Sequence, residues 1–226
     1  VSDDDTPANL TPGDIAIVGR NLGSDAFSVM ALTNIAAGQV IYFTDNGWDG
    51  ANGRFRGANT AGAGSEDLIK LRFNSDVAAG VIICSSDTGD ARWTWTTSGT
   101  IPLTNDAFSA LSLVNSGNEQ IYAFQADNGA PLQNPTAHLF VLDDTAGFEN
   151  ATSTSTGAEP PGVSSNSNTA VSYAFTSTDI VSINMALATG SKSKAQWLAF
   201  INTGANWLDP ATALPCGSGV AVDQTC

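Results

Sequence analysis

Over most of its length the chain alternates between short apolar runs and polar or glycine-bearing links, and that rhythm sets its class. Ten runs read as strands: DIAIVG (14–19), FSVMAL (27–32), VIYFTD (40–45), DLIKLRF (67–73), VIICSS (81–86), WTWT (93–96), SALSLV (109–114), QIYAFQA (120–126), HLFVLD (138–143) and AVSYAF (170–175). All are short, rich in β-branched or aromatic residues, and bounded by turn formers. In LIKLRF, Lys70 and Arg72 alternate with Leu and Phe, the pattern of a strand with one face in water. One stretch has helical spacing instead. In SKSKAQWLAFINTG, Ser191 or Ser193 can cap, Trp197, Leu198 and Ile201 share a face, and Asn202 with Gly204 can end the helix, with Trp207 packing nearby. These elements predict an all-β fold, a β-sandwich of about ten short strands with one short C-terminal helix closing an end.

The polar links repeat as well. SDAFSVMALTNIAAGQVIYFTDNG (24–47) is echoed by NDAFSALSLVNSGNEQIYAFQADNG (105–129), and AAGQVIYFTDNG (36–47) more faintly by AAGVIICSSDTG (78–89). Each copy is a glycine-bearing link, an apolar strand and an Asp-X-Gly turn, so an internal pseudo-repeat is expected, although β-proteins also reuse turn chemistry without common ancestry. The boundaries then predicted are an extended arm over 1–12, a sandwich over 13–208 with related halves at about 13–98 and 99–208, and an extended tail over 209–226. The Ser-, Thr-, Gly- and Pro-rich stretch at 143–169 reads as a long loop, with Phe148 as an anchor for a neighbour or a residue tucked back. The tail holds Pro210, Pro215 and Gly217 before the strand-like Val220-Ala-Val222, and reads as a segment that extends across a neighbour.

Composition narrows the partners. Eight Lys plus Arg face 22 Asp plus Glu, a formal net charge of −14, with no Lys or Arg between Arg92 and Lys192. Such a surface repels phosphate backbones and anionic lipid, so neither nucleic acid nor membrane insertion is expected, and no apolar run approaches the roughly 20 residues of a helical span. Charged residues are only 13% of the chain, their place taken by Ser, Thr, Asn and Gly, a surface that packs against copies of itself without burying many charges. The opening VSDDDTPANLTPGD carries no targeting peptide and reads as the start of a processed chain. Of three cysteines, Cys84 in VIICS is expected as a buried free thiol, while Cys216 and Cys226 can close a small loop. Asn9 and Asn150 head glycosylation sequons that matter only in an oxidising compartment.

Catalytic equipment is sparse. The single histidine, His138, sits in a strand-like run, so zinc sites of ordinary His and Cys spacing are not expected. No nucleophile elbow, phosphate loop or dinucleotide fingerprint occurs. A catalytic reading would rest on carboxylates alone, converging in a cleft. No catalytic, cofactor or metal residue is assigned, and the chain is expected not to be an enzyme. The best ligand candidate is Asp45-Asn-Gly-Trp-Asp49-Gly, oxygen-rich like a calcium loop but without an EF-hand register; the recurrence of Asp-Asn-Gly at 127–129 favours a plain turn. An exposed Trp48 with Arg54 and Arg56 would suit a sugar platform.

GDIAIVGRN, DAFSVMALTNIAAGQVIYFTDNGW, NEQIYAFQ and KAQWLAFINTGANW together resemble a β-sandwich module of secreted bacterial proteins, over most of the chain from Gly13 to Trp207. The same phrasing in an isolated, internally repeated domain also resembles the pyrenoid-shell proteins of diatoms. That resemblance implies a non-enzymatic subunit that self-assembles into a sheet or shell lattice around a Rubisco-containing assembly, at the pyrenoid periphery of the chloroplast. Its partner would be itself. The alternative is an extracellular module of the same fold that binds calcium or glycans.

Overall fold

The computed structural model describes residues 9–57, 68–87, 93–97, 103–105, 111, 113, 119–127, 129–145, 147–149, 157–177, 179–217 and 219–224. The first strands are β1 (Ile15–Asn21), β2 (Ala26–Ala31), β3 (Val40–Thr44), the small hairpin β4 (Trp48–Asp49) and β5 (Arg54–Phe55), β6 (Leu68–Phe73), β7 (Ile82–Asp87) and β8 (Trp93–Thr97). Then come β9 (Leu103–Asn105), β10 (Gln120–Ala126), β11 (Pro135–Asp143), β12 (Ala170–Ser172) and β13 (Ile180–Ile183). The chain ends with β14 (Lys192–Ser193), helix α1 (Lys194–Ile201), β15 (Trp207–Leu208) and β16 (Val222–Asp223). Two six-stranded sheets result, ordered β15-β13-β1-β2-β7-β8 and β12-β11-β10-β3-β6-β9, and they face each other as an all-β sandwich. Strands of both sequence halves lie in both sheets. Nine of the ten predicted runs contain a strand; SALSLV falls largely outside the described residues, with Leu111 and Leu113 buried.

The two sheets are joined by a continuous two-chain ribbon. β2 and β3 run antiparallel to β7 and β6 in a single register: Met30 faces Ile82, Ile35 faces Val77 and Tyr42 faces Lys70. Where the ribbon passes between sheets, its hydrogen bonds come in symmetric pairs. Ile35 and Val77 exchange both N–H···O bonds at 2.8 Å, while Gly38 N donates to Phe73 O and Gly80 N to Ala31 O, both at 2.7 Å. The same spacing, 42 positions, separates Gly38 from Gly80, Ile35 from Val77 and Ala31 from Phe73. The fainter sequence echo is therefore laid out with two-fold symmetry, while much of the second copy of the longer echo, over 106–118, lies outside the described residues. Both glycines adopt left-handed φ, 86° and 91°, as these turns demand.

Each sheet buries the face toward its partner. Ile17, Phe27, Phe43, Ile69, Leu71 and Phe140 are fully buried there, each contributing about 1.5–3 kcal/mol by area. The second sheet is covered on its outer face too. Successive strand residues point to opposite faces, so Ile121 and Ala123 of β10 enter the inter-sheet core while Tyr122 and Phe124 enter a second cluster with Tyr42, Trp48, Phe55 and Val141. The β4–β5 hairpin closes over that cluster, with Trp48 and Phe55 edge-on at 5.1 Å. This covering corrects the half-exposed reading of β6, where Lys70 is buried and only Arg72 is partly exposed.

Helix α1 follows its sequence signals. Ser193 caps it in a reciprocal box with Gln196, Trp197, Leu198 and Ile201 are its buried residues, and Trp207 Nε1 donates to Ile201 O at 2.8 Å. The tail does not follow the expectation. Instead of extending toward a neighbour it runs back along its own sandwich. Val220 N donates to Gly80 O, β16 pairs with β14, and Trp197 Nε1 donates to Ala221 O. Cys84 is not a free thiol, and Cys216 does not pair with Cys226. Cys84 and Cys216 form a disulfide with Cα atoms 5.6 Å apart, and Cys226 lies outside the described residues. The bond spans 132 positions, and chain entropy alone puts its stabilisation at up to about 5 kcal/mol. Within the predicted arm, Leu10 is buried and its N–H donates to Gln125 Oε1 at 2.9 Å, so the end of that segment is also held to the body.

Candidate functional site

The Asp45–Gly50 turn is a structural plug. Asp45 and Trp48 are 1% and 2% exposed, and Asn46 folds back on Thr44 Oγ1 through its N–H and its amide. Asp49, at the surface, accepts from Ala51 N, Asn52 N and Asn52 Nδ2 and pairs with Arg56 at 3.5 Å. The Asn52 side chain, foremost among these, holds its carboxyl below the ordinary value. The sugar platform is overturned: Trp48 is buried edge-on against His138 at 4.5 Å, and Arg56 is tied to Asp49, leaving only Arg54 exposed. No three His, Cys, Asp or Glu side chains among the described residues are grouped to hold a metal ion.

His138 lies in the second apolar cluster because a bulge in β11 shifts the register, setting Ala123 opposite Phe140 but Phe124 opposite His138. Among Trp48, Phe55 and Phe124 its Nδ1 has no hydrogen-bond partner among the described residues, and burial pushes its pKa down to about 4. A neutral imidazole without a polar partner packs as an aromatic ring.

At the end of β11 two consecutive acids point to different surroundings. Asp144 meets Arg20 of β1 at 3.0 Å with both side chains almost fully buried, and accepts from Glu119 N at 2.6 Å. Desolvation raises the Asp144 pKa and lowers that of Arg20 despite their pairing. Arg20 also donates to the carbonyls of Ser177 and Asp179, which pins the chain entering β13. Asp143 faces the other way. It accepts from Thr145 N, Thr145 Oγ1 and Ser172 Oγ, and burial still pushes its pKa up to about 6.

Beyond Ser172 lies a cleft of about 550 Å³, lined by Gly147, Phe148, Ala158, Glu159, Ser165, Ser172 and Asn202. Its walls come from the long loop, the end of β12 and the residue that follows α1. Glu149 N donates to Gly157 O and Ala158 N to Trp48 O, which clamps the loop where it leaves and returns. Gly157 is required at that clamp: a Cβ there would lie 2.2 Å from Tyr122 Oη and 2.5 Å from Trp48 N. Asn202 Nδ2 donates to Ser165 O and Asn168 Oδ1, fixing the opposite wall. Phe148 is half-buried and packs on the second apolar cluster, so it is tucked back onto its own chain while still lining the cleft.

Only one carboxylate, Glu159, lines this cleft among the described residues; Asp143 sits behind Ser172. The converging pair that glycoside hydrolysis needs is not assembled there. Sequence reasoning singled out the loop and Phe148 but not Glu159, Ser172 or Asn202, which lie in three separate segments and share no motif. Compared with known proteins, the chain matches no family model, no curated protein and no solved structure.

Proposed function

We propose that the chain is a non-enzymatic structural subunit that assembles with copies of itself through the edge of β8. The observation that carries this reading is the contrast among the four sheet edges. β15 has two residues, and β12 and β9 have three each, whereas β8 has five and pairs without a bulge from Asp87↔Trp93 to Ile83↔Thr97. Its sequence, WTWTT, has high β propensity and carries no Lys or Pro, and its pairing with β7 has no bulge. An edge of that kind is a template for another strand. Antiparallel pairing of two β8 strands about a two-fold would join two six-stranded sheets into one, and a second contact elsewhere would extend the pair into a lattice.

The Cys84–Cys216 bond supports an oxidising compartment, since disulfides persist in exported proteins and are rare where thiols are kept reduced. Within this proposal the subunit acts outside the cell rather than around Rubisco. The test is light scattering and negative-stain microscopy of the parent and of Thr94→Lys/Thr96→Lys. The parent should form oligomers and the variant should stay monomeric with an unchanged circular dichroism spectrum. A parent that is monomeric at every salt and protein concentration would sink the reading.

A further inference from the structure

The cleft over Ser172 carries an inference independent of assembly. Three of its polar atoms, acceptors or hydroxyls, make no hydrogen bond among the described residues. Glu159 spends Oε1 on Ser165 N at 2.8 Å, and its Oε2 makes no hydrogen bond among the described residues. Asn202 spends both amide protons on Ser165 O and Asn168 Oδ1, and its Oδ1 accepts no hydrogen bond among the described residues. Ser165 Oγ also makes no hydrogen bond among the described residues. Ser172 Oγ directs its proton inward, toward Thr145 O at 2.7 Å and Asp143 Oδ2 at 3.1 Å, so its lone pairs are what it offers the cleft. The wall therefore accepts more than it donates. Among the described residues its lining also holds no Lys or Arg.

Such a lining disfavours phosphates and carboxylates, which need donors. It matches a ligand rich in neutral O–H donors. The apolar side of the cleft is Phe148 with Ala158, a surface suited to the C–H face of a ring. A cation is the competing occupant, but Glu159 is the one carboxylate in the lining among the described residues, and a single carboxylate with one oxygen already engaged by Ser165 N is a weak match for a cation's desolvation. We propose that this cleft binds a neutral sugar unit, with adjacent hydroxyls donating to Glu159 Oε2 and Asn202 Oδ1 and the ring's apolar face on Phe148. The sugar site is thereby separate from the turn at Asp45–Gly50, where Trp48 is buried.

The experiment is saturation-transfer NMR on the full chain with the methyl glycosides of glucose, galactose, mannose and N-acetylglucosamine, with methyl glucuronide and n-butylammonium as charged probes. At least one neutral glycoside should bind saturably, and methyl glucuronide at least tenfold more weakly. Glu159→Gln keeps an oxygen for Ser165 N but replaces the free acceptor with a donor, so it should weaken binding at least tenfold with melting unchanged. Phe148→Leu should do likewise through the lost ring face, and Leu187→Gln, at an exposed site elsewhere, should leave binding as it was. Absence of saturable binding by every neutral glycoside, tighter binding of n-butylammonium, or indifference to Glu159→Gln would each overturn the proposal. If Phe148→Leu fails to fold, the Glu159→Gln comparison still decides it.

Discussion

Gly80 meets two requirements at once. Its φ is left-handed, and a Cβ there would also sit 1.9 Å from Val220 O, because the tail lies over that turn. Gly80→Ala should therefore cost about 1 kcal/mol for conformation and about 3 kcal/mol once displacement of the tail is included. Urea unfolding of that variant checks this, and a loss of only about 1 kcal/mol would contradict the packing. On β11, His138 and Asp143 make opposite demands on pH. The unfolded chain protonates His138 between pH 6.5 and 4 while the fold does not, so stability is lost as pH falls through that range. Asp143, with its pKa raised to about 6, is protonated in the fold first, so stability is gained as pH falls from 6 toward 4. Each effect is about 3 kcal/mol, and in the parent they offset. Thermal melts from pH 7 to 4 should show His138→Phe becoming more stable on acidification and Asp143→Asn less stable; variants that both track the parent would refute the pairing.

At the scale of elements, what the sequence made legible was local. Helix α1 could be placed because Ser193, Gln196, Trp197 and Ile201 lie within nine positions, and β10 because Ile121, Tyr122 and Phe124 give QIYAFQA a high strand propensity. β13 was missed because IVSI is four residues behind a polar stretch, and it is a strand by virtue of pairing with β1 and β15. The tail was misread for a different reason. Pro, Gly and a short Val-Ala-Val run have no local signal for where they dock; the information sits 132 positions away at Cys84 and in the carbonyl of Gly80 that Val220 N reaches. The cleft was legible only as a loop of unusual composition, since its walls meet through Gly157 and Asn202, which local pattern cannot bring together. Stapling by the tail makes deletion of 210–226 a folding defect rather than an assembly defect. The cleaner test is Cys216→Ser. Loss of up to about 5 kcal/mol should lower the melting temperature by roughly 10–20 °C, and reductant should bring the parent to the same value while leaving the variant unmoved. An unchanged melting temperature would mean that the bond adds nothing beyond the strand pairing around it.

For the whole molecule, charge and symmetry pull against each other. A two-fold ribbon joining the sheets leaves the ends of each sheet to define how copies meet, and among the described residues β8 is the longest strand with one neighbour. Yet each copy carries a formal charge of −14, so two copies repel at long range. β8 itself is uncharged, so pairing there would bury no carboxylate, and the cost of approach would come from the surrounding surface. That cost is screened by salt. Raising ionic strength from about 0.01 M to 0.15 M shortens the screening length from about 30 Å to about 8 Å, less than the width of a sandwich sheet. Association through β8 should therefore strengthen as salt rises, the reverse of contacts made by ion pairs. Sedimentation velocity across that range should show the parent shifting toward dimer and larger species, while Thr94→Lys/Thr96→Lys stays monomeric throughout. Association that weakens with salt, or that persists in the lysine variant, would place the contact on another surface of the molecule.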